Sequence, residues 1–183
     1  MPCGLTIVSE NPAYIQGDFN AAPNGNFGGA HVATAVIADA VTLLSNRWND
    51  VNSFAFPYNL NNRQANTTTY RFAVVSGKGL SFPQPANYAT PQDFGTDGGV
   101  HNFLRYLENW GGQTLFYRGS VVSFYYNRQA TGIYKCCNTV YSPPTRGYNF
   151  DTDFLNPTLL PPRTPMFRDV NTVGFNQMIL PNQ

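Results

Sequence analysis

Short apolar runs broken by glycine, proline and asparagine, with few long amphipathic stretches, set the pattern of this chain. Gly4 to Asn20 reads as GLTIV, a turn at Ser9-Glu10-Asn11-Pro12, then AYIQGDFN: two short strands meeting at a corner. Asn24 to Gly29, NGNFGG, is a loop. Between His31 and Trp48 the alanines permit a helix, yet Ile37, Val41 and Leu43 also fit a strand pair bent at Asp39, and periodicity does not decide between them. Asn49 to Thr69 is polar and predicts a long loop, and Tyr70 to Ser76, YRFAVVS, a strand. Gly77 to Gly95 is loop, punctuated by Pro83, Pro85 and Pro91. The single predicted helix starts at Asp97, carries the stripe Val100, Phe103, Leu104 and Leu107, and stops at Gly111-Gly112. Thr114 to Asn127, TLFYRGSVVSFYYN, is the strongest β segment, and the chain after Ser142 reads as an irregular wrap over the core.

Three segments share one pattern: apolar, polar or small, glycine or aspartate, any residue, apolar. They are Ile15 to Asn20, Ile37 to Thr42 and Tyr117 to Val122, with Gly17, Asp39 and Gly119 at the same place in each. A strand, a tight corner and a second strand is the unit from which a β-solenoid coil is written. The alternative is coincidence among short strands. The expected fold is therefore mainly β, a β-solenoid (right-handed β-helix-like) or a related β-rich single domain over residues 1–183. It has one short helix and an irregular C-terminal wrap.

Length agrees with one core, since 183 residues suit a single domain. Charge is more telling: charged residues make up 11% of the chain, against about 25% in an average soluble protein. Water is met mainly by Asn, Gln, Thr and Ser, a profile common in extracellular and virion proteins. A net charge of +1 with no Lys/Arg run offers no footprint for nucleic acid or an anionic membrane. No apolar run approaches the ~20 residues of a membrane-spanning helix. The start, MPCGLTIVSENP, has neither a basic n-region nor an apolar h-region. The expectation is a mature or excised C-terminal region of a longer exported protein, with no membrane insertion by this segment.

Candidate chemistry is sparse. Asp151 and Asp153 are the only close carboxylate pair; alternate acids in a loop can bind a hard cation such as Ca²⁺, or form Asx turns. No other cofactor is implied. His31 and His101 lack a metal-binding spacing such as H-x-H. Cys3, Cys136 and Cys137 leave three options: one long-range disulfide with a free thiol, a vicinal disulfide, or three thiols. The long-range bridge, preferred here, closes a loop of more than ~100 residues and is worth roughly 4–5 kcal/mol in chain-entropy terms. Lys135 alone is a poor thiolate activator. Phe116, Tyr117, Phe124, Tyr125 and Tyr126 are aromatic, and Tyr117, Tyr125 and Tyr126 form a possible contact face for sugar or protein, although alternate strand residues point to opposite sides. The scattered acids nominate no glycosidase pair.

The blocks GLTIVSENPAYIQGDFN, HVATAVIADAVTLLSNRWND, FGTDGGVHNFLRYLENWGGQTLFYRGSVVSFYYNRQATG, KCCNTVYSPPTRGYNFDTDFL and LLPPRTPMFRDVNTVGF resemble the C-terminal region of large bacterial PilX-like pilus-assembly proteins. The resemblance spans nearly the whole chain and brings no catalytic residues. It implies a non-enzymatic structural or adhesive accessory domain, extracellular or at the cell surface, that associates with type IV pilus or related machinery. The implied partners are other pilus or surface proteins, further copies of itself, or glycans. Two other classes stay open: an extracellular carbohydrate-binding or carbohydrate-active module, and a self-assembling filament or virion subunit.

Overall fold

A computed structural model describes residues 4–79, 104–132, 134 and 140–164. Ten short strands dominate it: β1 (Leu5–Val8), β2 (Ala13–Gln16), β3 (Thr34–Ala38), β4 (Val41–Leu44), β5 (Thr68–Arg71), β6 (Ala73–Ser76), β7 (Leu104–Arg105), β8 (Thr114–Gly119), β9 (Val121–Val122) and β10 (Thr145–Phe150). They form three sheets with strand orders β1-β3-β6-β9, β2-β4-β7 and β5-β8-β10. Every pairing between these strands is parallel. The chain passes from the first sheet to the second, then the third, then back to the first: β3, β4 and β5 make one such circuit, and β6, β7 and β8 the next. In the opening circuit Phe19 bridges to Tyr70 on the third sheet.

Parallel pairing places like residues in columns, and the columns are the core. Ile7, Val36, Val74 and Val121 are in register along the first sheet. Val36 and Val74 are fully buried, whereas Ile7 and Val121 at the two ends are 36% and 41% exposed. Ala13, Val41 and Leu104 line up on the second sheet. Tyr70, Tyr117 and Tyr148 line up on the third. The buried tyrosines find acceptors, as a buried hydroxyl must: Tyr70 Oη donates to the Leu44 carbonyl (2.6 Å) and Tyr117 Oη to the Phe72 carbonyl (2.7 Å). β4 and β5 are buried at every position, the expected state of parallel strands covered on both faces.

The three segments with a shared pattern all turn corners. Gly17 follows β2 with φ +78, Asp39 separates β3 from β4, and Gly119 ends β8 before β9. They mark three different corners of the circuit, so their spacing is not the circuit's period. That is set by pairings such as Leu5 with Thr34, Ala35 with Ala73 and Val74 with Val121. Insertions of unequal length between the strands hide the repeat from a fixed-period search.

Several expectations are corrected. His31 to Trp48 holds a strand pair bent at Asp39, the second of its two readings. The helix placed from Asp97 to Gly112 fails where it can be followed: Leu104–Arg105 is a strand, and Leu104, Tyr106, Glu108 and Trp110 are buried on a period of two. Ladder pairing with β4 outweighs the local helical stripe. A helix forms instead at α1 (Asp50–Ala55), within the expected loop, where the Asn49 side chain accepts from the Val51 N–H. Tyr70 to Ser76 is two strands divided at Phe72. The wrap begins after β10 rather than at Ser142: two 3₁₀ turns, Thr152–Leu155 and Pro157–Leu159, lead to Pro162, whose carbonyl accepts from Thr6 Oγ1 at 2.5 Å. Among the described residues no helix is long and apolar enough to cross a membrane.

Candidate functional site

The close carboxylate pair lies where the wrap leaves β10, and it converges on a guanidinium. Arg71 projects from β5; its Nε and Nη2 donate to Asp151 Oδ2 (2.7 Å) and Oδ1 (2.9 Å), and Nη2 also donates to Asp153 Oδ2 (2.7 Å). Arg71 and Asp151 are buried, making a side-on bidentate pair of high geometric specificity. His31 Nε2 lies 3.0 Å from Asp153 Oδ2, its Nδ1 3.0 Å from the Gly29 carbonyl, so the loop before β3 joins the same node. The node borders a cleft of about 170 Å³ with Asn20, Thr34 and Phe154 on its walls. Arg71 already supplies the positive charge that a cation would bring to Asp151 and Asp153. Among the described residues no group of three or more His, Cys, Asp or Glu is placed to hold a metal ion.

Two more acids are braces. Asp39, at the first corner, accepts from the backbone N–H groups of Arg128 (2.6 Å), Gln129 (3.0 Å) and Ala130 (2.8 Å). Burial by itself would raise the Asp39 carboxyl, but the N–H donors of Arg128, Ala130 and Gln129, with the Asn127 amide, outweigh it and hold it below the ordinary carboxylate value. Glu108 is fully buried and takes the Ser45 N–H on Oε2 and the Ser45 hydroxyl on Oε1, both at 2.6 Å. Burial pushes its carboxyl up; the Ser45 donors and the charges of Arg47 and Arg63 return only part of the shift.

The aromatic face is divided by the fold. Tyr117 is 2% exposed and belongs to the core, which removes it from any contact surface. Tyr125 and Tyr126 are exposed: Tyr125 Oη donates to the Ala38 carbonyl (2.7 Å), and Lys78 lies over the Tyr126 ring at 5.2 Å. Phe124 is exposed beside them, at the edge of an apolar cleft shared with Phe150, Phe154 and Leu160. A second aromatic surface was not anticipated. The insertion between β4 and β5 exposes Val51, Phe54, Phe56 and Tyr58, Phe54 to 86%.

Other residues that matter were passed over in the sequence because they sit inside apolar strands. Arg71 in TTYRF and Arg105 in FLRYL are buried cations, and an arginine within such a run is the signal that marks them. Over the second sheet, a cleft of about 240 Å³ is bordered by Tyr14, Thr42, Arg105, Gln129 and Tyr134. Cys3, Cys136, Cys137 and His101 lie outside the described residues. No protein-family model, curated protein or solved structure matches this chain.

Proposed function

We propose that this chain is a β-solenoid module of the right-handed β-helix kind, acting as a non-enzymatic structural or adhesive accessory domain displayed outside the cell with type IV pilus or related surface machinery. The observation that carries the reading is the insertion between β4 and β5: large apolar and aromatic side chains, Phe54 and Tyr58 foremost, stand in solvent on a frame of fully parallel sheets. Several exposed large apolar and aromatic side chains within one insertion suit a protein contact surface. The commitment of Asp39, Glu108, Asp151 and Asp153 to backbone and arginine partners supports a framework role for these acids. The resemblance to PilX-like proteins supplies the expected setting.

Antibody labelling of intact against permeabilised cells tests the display. Signal on intact cells and in the sheared surface fraction is expected; signal confined to permeabilised cells refutes it. The double substitution Phe54→Ser and Tyr58→Ser should leave the melting temperature unchanged and reduce adhesion or co-purification with surface proteins. Release of reducing ends from a polysaccharide panel, abolished by an acidic-residue substitution, would overturn the non-enzymatic assignment.

Self-assembly is a second reading, favoured by the exposed ends of the Ile7 to Val121 column and by the common direction of the strands at the coil's two ends. Light scattering that rises with protein concentration, and falls on Ile7→Lys, is its expected signature.

A further inference from the structure

We propose that the cleft over the second sheet binds a carboxylate-bearing sugar, a hexuronate unit, with Arg105 receiving the carboxylate and Tyr14 the apolar face of the ring. The proposal goes beyond the accessory role and does not depend on where the domain is displayed.

Tyr14, Thr42 and Arg105 are in register across β2, β4 and β7, one above another on the second sheet. Arg105 is 7% exposed, and among the described residues no carboxylate is hydrogen-bonded to it. To the described residues it makes two hydrogen bonds, both from Nη2: to the Ala130 carbonyl (2.9 Å) and to Asn127 Oδ1 (3.4 Å). Nε is buried with no acceptor, and the guanidinium lies over the Tyr134 ring at 4.8 Å.

Arg71 in the same protein shows what a paired buried arginine looks like, with both carboxylates of the wrap on its nitrogens. Asp39 is the acid that Arg105 senses, yet both Asp39 oxygens already accept backbone N–H groups of residues 128–130. Burial pulls the Arg105 guanidinium below its ordinary range, with Tyr134, Asp39 and Tyr14 opposing. A desolvated cation without a bonded anion is costly to keep, and stacking on an aromatic ring returns only a fraction of that cost. An arriving carboxylate supplies the missing counter-charge to the guanidinium.

The size and walls of the cleft narrow the ligand. Its 240 Å³ falls below the roughly 300–1,000 Å³ of pockets for drug-sized molecules, which suits one sugar-sized unit of a longer chain. Tyr14 is exposed at the mouth, offering a ring face for the C–H surface of a pyranose. Gln129 and Thr42 add polar groups for hydroxyls.

The test is calorimetric titration of the full chain with oligogalacturonate and oligoglucuronate, beside a neutral glucan oligomer and inorganic phosphate. Saturable binding of a uronate oligomer is expected, with the neutral oligomer inert. Arg105→Gln should weaken it about 10- to 100-fold, the span of a charged hydrogen bond. Tyr14→Ala, a change at an exposed side chain, should weaken it several-fold at an unaltered melting temperature, and it carries the test if Arg105→Gln fails to fold. Absence of saturable uronate binding overturns the proposal. So does equal binding of the neutral oligomer, competition by phosphate as strong as by uronate, or affinity indifferent to Tyr14→Ala. A negative result here leaves surface display standing, because that reading is scored by labelling of cells.

Discussion

Asp39 and Glu108 are both buried carboxyls, and their surroundings push them in opposite directions. Asp39 is depressed, so the stability it contributes is present above its ordinary value of about 3.9 and is lost as pH falls through its lower folded value. Glu108 is raised, so its contribution is present below its ordinary value of about 4.3 and is lost as pH rises through its higher folded value. Protection of the Arg128 to Ala130 amides against hydrogen exchange, taken relative to their intrinsic rates, should fall below about pH 4. Asp39→Asn should lower that protection above this range and change it little below, where the carboxyl is already protonated. Glu108→Gln should flatten the decline of stability on the neutral side of its titration, followed by urea midpoints against pH. At the Arg71 node, Arg71→Met leaves Asp151 buried without its partner, and a loss of about 3–5 kcal/mol is expected from chemical unfolding. The double change with Asp151→Leu should recover much of that loss, since an apolar pair carries no stranded charge.

Corners are the elements on which the circuit depends. A Cβ at Gly119 would collide with the Phe72 carbonyl and meet the Tyr117 hydroxyl, where the third sheet hands over to the first. Gly119→Ala should therefore cost about 1–3 kcal/mol or more, read from thermal unfolding. Gly112→Ala is a useful contrast, because its strain comes from φ +74 with nothing within 4 Å of the added carbon. The importance of Gly119 was visible in the chain as a small residue recurring between apolar runs, whereas the surface that it must approach was not. Leu104 makes the complementary point. Its spacing from Val100, Phe103 and Leu107 spells a helix, yet β4 lies beside it and the ladder decides.

Across the whole molecule, the columns predict a gradient of mutational cost. Val36→Ala and Val74→Ala, in the closed middle of the first-sheet column, should each cost about 1–3 kcal/mol. Val121→Ala, at the open end of the same column, should cost no more than ~0.5 kcal/mol. Equal costs along the column, measured by urea unfolding, would contradict the register.

Composition, the short β-rich runs and the corner residues were legible without any structure, because they express local preferences: branched and aromatic residues favour extended backbone, and glycine permits the turns. They were enough for a mainly β chain, for naming a strand pair bent at Asp39 as one of two readings, and for singling out Asp151 and Asp153 as a close pair. Only the tertiary structure decided that Arg71 is their partner, that Tyr117 is core, that Leu104 pairs with Val41, and that Arg105 borders a cleft with no carboxylate among the described residues bonded to it. Each of these depends on groups brought together from distant parts of the chain by parallel pairing. The insertions between strands vary in length, and no local periodicity encodes which residue will stand above which.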